Sequence, residues 1–231
     1  MDSEDVFIKT MRCREFAVHC LAGMPDHDVA SYMLEFAQLM KKETLLTESP
    51  LAAFLMYRAL RNPYLVGQAL YWNIRSEMHD EDLFPRFSLF LRQYLDRCGR
   101  HREELRHQEQ LMVELRDIIK HIKGERERRK AAAEDYSIHA LREVLKADLG
   151  NLSFPDGGLR LPVKSNMHVT GIVVEKCKVL GSHQVPLWLV FTNADPTAED
   201  VNVILKDGDD VRQDTLVLQF FNIMQEIWEE R

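Results

Sequence analysis

The sequence predicts an α+β chain: an α-solenoid of antiparallel helix pairs followed by a small antiparallel sheet that carries one further helix. Three observations predict it. From the start to about residue 149, apolar residues recur at steps of three and four, the repeat of one helix face. Residues 150–166, "GNLSFPDGGLRLPVKSN", then carry Gly150, Pro155, Gly157, Gly158 and Pro162 and break that repeat. Beyond them the period falls to two, as in strands. The expected organisation is a helical domain over 1–149, a linker over 150–166, and a small sheet-and-helix domain over 167–231.

The elements follow in order. "MRCREFAVHCLAGMP" reads as a helix stopped by Gly23 and Pro25. In "DHDVASYMLEFAQLMKKE", Val29, Tyr32, Met33, Phe36, Leu39 and Met40 line one face, and Asp26 or Asp28 can cap the start by accepting unpaired N–H groups. "SPLAAFLMYRALRNP", bracketed by Pro50 and Pro63, and "YLVGQALYWNIRSEMH" come next, then helices over 82–98 and about 99–133. Amphipathic helices with short breaks between them stack as antiparallel pairs, although no strict sequence repeat marks the stack. In the long charged segment, Leu105, Leu111, Leu115, Ile118, Ile119 and Ile122 supply an apolar stripe. Its end, "KGERERRKAAA", reads either as a basic patch for an anionic lipid surface or as a solvated helix end with ion pairs such as Glu125–Arg129. The second reading is favoured.

After the linker, "HVTGIVVEKCKVL", "VPLWLVFTN" and "VNVILK" read as strands, the first two joined as a hairpin by the polar turn from Gly181 to Val185. A last helix runs from about Asp210 to Glu230. Val217, Phe220, Phe221, Met224, Ile227 and Trp228 form its face, and Asp210 with Gln213 suits a capping box.

Bulk composition narrows the function. The 231 residues are 45% hydrophobic and 29% charged, an ordinary globular balance. A formal net charge of −7 argues against nucleic acid as the partner. No apolar run approaches the ~20 residues of a membrane span, and "MDSEDVFIKT" lacks a signal peptide's basic-then-apolar layout. Cys13, Cys20, Cys98 and Cys177 form no CxxC pair, so they read as buried or free thiols rather than metal ligands.

The stretch "VILKDGDDVRQD" carries the chemistry. Ile204 and Lys206 project from one face of their strand, which sets an apolar surface beside a positive charge. A nucleotide has the same layout, with a flat base and then phosphates. Val203 and Leu205, on the other face, would pack under the closing helix. Asp214 lies in that helix's first turn; if the helix packs on the strand, Asp214 can pair with Lys206 and aim the ammonium at phosphate, as strand lysine and helix acid do in kinases, while residue spacing alone favours a surface lysine beside an acidic helix start. In the turn "LGSHQVPLW", Gly181 allows close approach, Ser182 offers an N–H and a hydroxyl, and Trp188 reads equally as a cover for a base or as a core tryptophan. His183 reads as an exposed loop histidine. Neither GxGxxG nor GxxxxGK[ST] is present.

"EKCKVL", "VPLWLVFTNADP" and "VNVILKDGDDVRQDTLVLQFFNIMQEIW" closely resemble the N-terminal lobe of phosphatidylinositol 3-kinase catalytic subunits, and "REFAVHCL" and "ALYWNIRSEMH" resemble the end of that family's helical (PIK) domain. "RSEMH" is similar to the class I enzymes, while "NADP" also resembles class II. The resemblance implies that Ser182 belongs to the phosphate-binding loop, Trp188 packs at the adenine pocket, Ile204 lines it, Lys206 contacts the ATP phosphates, and Asp214 sits beside Lys206. It implies transfer of the ATP γ-phosphate to the inositol 3-hydroxyl, with ATP and Mg²⁺ as cofactors. It further implies a cytoplasmic protein recruited peripherally to membranes, whose helical part is a platform toward a regulatory subunit and a small GTPase, and whose C-terminal lobe meets the phosphoinositide. Two departures stand out. Gln184 and Val185 occupy positions where relatives often carry a basic residue. The catalytic "DRHxxN", the metal-binding "DFG" and the activation loop do not occur in these 231 residues, so no catalytic or metal-ligating residue is assigned. The expectation is a fragment of a longer kinase, inactive alone; the alternative is a non-catalytic helical binding module that competes for kinase partners.

Overall fold

A computed structural model describes residues 3–43, 46–182 and 184–229. The chain divides into two compact units: one runs to Arg102 and takes in the chain from Leu218 onward, and the other is Glu103–Val217.

The first unit is helical. Helices α1 (Ser3–Leu21), α2 (Asp26–Ser31), α3 (Met33–Met40) and α4 (Pro50–Arg61) are followed by a π-helical turn at Pro63–Gly67, α5 (Gln68–Ser76) and α6 (Phe84–Leu95). The single helix expected over 26–43 is broken at Tyr32, whose φ of −92° and ψ of 15° leave the helical range. Val29, Met33, Phe36 and Met40 of the expected face are buried, but Leu39 is exposed. No side-chain cap starts α2. Asp26 instead takes Arg58 Nε at 2.8 Å and Asn62 Nδ2 at 3.0 Å, joining α2 to the end of α4. Ser49 caps α4 by accepting the Ala52 N–H at 3.1 Å, with Pro50 in the first turn where its missing N–H costs nothing.

Glu77, in the "RSEMH" stretch, is almost fully buried and accepts from Gln38 Nε2 at 2.6 Å and Lys41 Nζ at 2.8 Å. It ties the end of α5 to α3.

The second unit joins helices and sheet. α7 (His101–Ala131) starts at the boundary, and α8 (Ile138–Leu149) follows, capped by Ser137. All six residues of the expected α7 stripe are buried. Five of them, Leu111, Leu115, Ile118, Ile119 and Ile122, share one core with Leu141, Leu145, Leu149 and the inward side chains of the sheet. The helices expected to end a solenoid therefore cover a sheet face. The sheet contains β1 (Leu159–Arg160), β2 (His168–Ile172), β3 (Lys178–Val179), β4 (Leu187–Asn193) and β5 (Val201–Leu205), all antiparallel to their neighbours.

Residues 150–166 are built into this unit. β1 pairs with β2, Leu159 opposite Val169, and Leu159 and Leu161 are buried. Gly158 is held at φ +87°, and a Cβ there would meet the Val169 carbonyl oxygen at 2.5 Å, so strand pairing this close needs glycine. The expected strand over 168–180 is interrupted by a 3₁₀ turn at Val174–Lys176. Because β5 pairs along Leu187–Phe191, the two pieces β2 and β3 share the opposite edge of β4. α9 (Arg212–Glu229) closes the described chain, and none of its described residues is buried.

Candidate nucleotide-facing site

The β4–β5 register decides what faces outward. Leu187 pairs with Leu205, Trp188 with Ile204 and Leu189 with Val203. Leu187 and Leu189 point into the core under α7 and α8, and Val203 and Leu205 pack against it half-buried. The cover expected from the closing helix is thus supplied by α7 and α8. Alternation then puts Trp188 and Ile204 on the opposite face, with Lys206 just past the strand's end; Ile204 is 50% exposed, whereas Trp188 is half-buried and packs against the core. Lys178 lies opposite Trp188 across β3–β4, with its Nζ 5.6 Å from the ring centroid, a cation–π contact on the same face. Reading the hairpin outward from its turn would have found this lysine.

Lys206 and Asp214 are not brought together. The acid nearest the Lys206 ammonium is Asp209, whose Oδ2 is 4.0 Å away. Between them the chain turns at Gly208, φ +91°. Asp210 accepts the Arg212 N–H at 3.1 Å and pairs with its guanidinium, and the helix begins only at Arg212. Asp214 lies in the first turn of this exposed helix. The pairing failed because it required α9 to pack on the strand, and that place in the core is filled.

The β3–β4 loop is organised around Ser182. Its N–H donates to the Leu180 carbonyl at 3.0 Å, so it is already engaged within the loop. Its hydroxyl oxygen accepts the Gln184 N–H at 3.2 Å, leaving the hydroxyl proton as the donor it can offer. His183 lies outside the described residues. Val185 is buried and sits at φ +53°, a conformation that β-branched residues avoid unless their surroundings impose it. The close approach that Gly181 permits is made by α8: a Cβ at this position would meet Ile138 Cδ1 at 2.9 Å. Beneath the loop a groove of about 470 Å³ is lined by Arg126, Tyr136, Ile138, Leu141, Ser182 and Val185, among others.

Two cations of α7 reach these segments, and no local sequence signal announces them. Arg126 Nη1 donates to the Ser182 carbonyl at 3.2 Å. Lys123 Nζ donates to the Asp207 carbonyl at 3.1 Å and to its carboxylate at 3.2 Å. The charges that follow are largely paired among themselves. Glu125 takes Arg128 at 2.8 Å and Arg129 at 2.7 Å, and Arg128 also reaches Glu134 at 2.9 Å. Hydrogen bonds from Arg128 and then Arg129 pull the Glu125 carboxyl down to about 2. The ion-pair reading of "KGERERRKAAA" is the one the structure adopts. Among the described residues no group of three or more His, Cys, Asp or Glu could hold a metal ion.

Residues 5–107 match the phosphoinositide 3-kinase family accessory domain (PIK domain). Nearly the whole chain, 93%, aligns with "Phosphatidylinositol 3-kinase 2" of Dictyostelium discoideum at 34% identity. The chain belongs to the phosphoinositide 3-kinase family. Two further relatives agree: Dictyostelium discoideum "Phosphatidylinositol 3-kinase 1", 32% identical over 95% of the chain, and the human "Phosphatidylinositol 4-phosphate 3-kinase C2 domain-containing subunit beta", 33% identical over 93%. The chain spans 11–13% of the length of these phosphoinositide 3-kinases. Since the family match ends at residue 107, near the unit boundary, the accessory domain corresponds closely to the helical unit before α9.

Proposed function

We propose that this chain supplies the ATP-facing half of a phosphatidylinositol 3-kinase, within a longer catalytic subunit that transfers the ATP γ-phosphate to the 3-hydroxyl of a phosphoinositide at a membrane surface. The observation that supports it is the open face of the sheet. Trp188 and Ile204 sit side by side as an apolar surface for a base, and Lys206 follows on the same face as a cation for phosphate. The Ser182 hydroxyl, on the loop between β3 and β4, is a donor for a phosphate oxygen. Asp214 would join them only if α9 moved onto the strand.

These residues fit a nucleotide's base-then-phosphate layout; Mg²⁺ would be held by groups of the longer protein, which also position the attacking hydroxyl. As that hydroxyl gives up its proton to a base of the longer protein and its oxygen bonds to the γ-phosphorus, the bridging bond to ADP breaks, and Lys206 would stabilise charge on the phosphates. Isothermal calorimetry with ATP, with and without Mg²⁺, tests the reading on the parent chain and on Lys206→Ala. Binding to the parent that is lost in Lys206→Ala supports it. Absence of binding to the parent, or binding unchanged in Lys206→Ala, overturns it.

A further inference from the structure

We propose that Lys123 and Arg126 are positioning residues of the nucleotide site: from adjacent turns of α7 they hold the β3–β4 loop and the end of β5 so that Ser182 and Lys206 face the same phosphates. The inference rests on the reading above that phosphate is what these two residues face.

The geometry carries it. Residues three apart on a helix lie on one side, about 5–6 Å apart at Cβ. Arg126 holds the loop by the Ser182 carbonyl at 3.2 Å. Lys123 holds the residue directly after Lys206 twice, by the Asp207 carbonyl and carboxylate at 3.1 and 3.2 Å. Two segments some twenty-five residues apart in sequence are therefore referenced to a single stretch of helix. That stretch is rigidly seated, because Ile119 and Ile122 beside it are fully buried in the core. The loop also needs an external anchor: Val185 is held at φ +53° and buried, so the backbone conformation must be imposed by its contacts.

Lys123 has a second effect. Asp207, Asp209 and Asp210 crowd the exit of β5, where an incoming phosphate would meet negative charge. Lys123 pairs with the Asp207 carboxylate, with both side chains roughly 70% buried. It removes the acid closest in sequence to Lys206 from competition for that ammonium. Loss of Lys123 should then weaken binding of phosphate and leave binding of the base unchanged.

The test uses the whole chain with Lys123→Gln, Arg126→Gln, Arg126→Lys and the pair Lys123→Gln with Asp207→Asn, each checked for folding by circular dichroism. Calorimetry compares ATP with adenosine. Each single Gln variant is expected to weaken ATP about tenfold, the size of one charge-assisted contact, with adenosine unchanged. Arg126→Lys should retain most of the ATP affinity, and Asp207→Asn should restore much of what Lys123→Gln loses. Hydrogen exchange without nucleotide gives an independent arm: the amides of Gln184 and Val185 should exchange faster in Arg126→Gln than in the parent. Unchanged exchange, or equal weakening of ATP and adenosine, overturns the positioning role. A parent chain that binds no ATP defeats the nucleotide reading, and the exchange arm still decides whether α7 holds the loop.

Discussion

Gly67→Ala should be among the most damaging single-methyl changes in the helical unit. Gly67 ends the π-helical turn at Pro63–Gly67 and faces α6. A Cβ there would lie 1.9 Å from the Tyr94 hydroxyl oxygen, 2.8 Å from Tyr94 Cζ and 3.1 Å from the Ala59 carbonyl oxygen. To reach an ordinary contact near 3.5 Å, the tyrosine tip must move roughly 1.5 Å. It has no room, since Tyr94 is fully buried and its hydroxyl is engaged with His101 Nδ1 at 2.8 Å. Overpacking costs about 1–3 kcal/mol, and breaking a buried hydrogen bond adds about 1–3 kcal/mol. The gain in helix propensity from glycine to alanine returns only about 1 kcal/mol. The net loss is about 1–5 kcal/mol, read as a lowered urea midpoint of the helical unit by far-ultraviolet circular dichroism. Tyr94→Phe supplies the control: it removes the 1.9 Å contact and the His101 bond together, so the double variant should be more stable than the sum of the two single losses by about 1 kcal/mol or more. A Gly67→Ala midpoint within about 0.5 kcal/mol of the parent, or strict additivity with Tyr94→Phe, would refute the reasoning.

Three further outcomes follow from charge, burial and exposure. A hydrogen bond from Asn62, then the Arg58 guanidinium, holds the Asp26 carboxyl below its ordinary value of 3.8 despite an opposing push from burial. Its contribution is therefore complete above that value and lost as pH falls through the lower folded value. Urea midpoints between about pH 5 and pH 2 should fall less steeply in Asp26→Asn than in the parent; parallel curves would count against the assignment. Cys13 and Cys20 are exposed, whereas Cys98 and Cys177 are buried, and burial pushes both of the buried thiols up. A thiol reagent should label the exposed pair at once and the other two only on unfolding, as mass spectrometry of labelled peptides would show. α9 exposes Phe220 at 66%, Phe221 at 56% and Trp228 at 69%. At concentrations on the order of tens of micromolar the chain should self-associate by light scattering, and Phe220→Glu with Phe221→Glu should reduce it; a monomeric parent contradicts this.

Much of this architecture was legible because it is local. The α7 stripe from Leu105 to Ile122 has the helical period and is buried throughout, and the alternation of Val203, Ile204 and Leu205 correctly separated an inner from an outer strand face. What escaped was non-local. Nothing in "GNLSFPDGGLRLPVKSN" reveals that Leu159 would find Val169, because a two-residue strand has no measurable period and its glycines read as linker. The partner of the sheet was misassigned for a related reason. α7, α8 and α9 all carry apolar faces, and periodicity does not say which one the sheet will bury. Once α7 and α8 took that place, the Lys206–Asp214 pair lost its geometric basis, and Lys123 and Arg126 gained theirs.

The same distinction separates the recognisable motifs from the chemistry. The "RSEMH" stretch does structural work: Glu77 is buried between Gln38 and Lys41, and His79 Nδ1 lies 2.8 Å from the Ser76 carbonyl oxygen, where its N–H tautomer closes a local turn. A buried carboxylate with two fixed partners tolerates little change, because removing either partner strands the other in a dry site. The residues proposed to face nucleotide have the opposite character. Trp188, Ile204 and Lys206 carry no individual signature, and the proposed site exists only through the β4–β5 register and the exposure around Ile204. Specific sequence at Glu77 therefore records the demands of packing. At Lys206 the proposed role would depend on placement, which α7 and the sheet would supply from residues far along the chain.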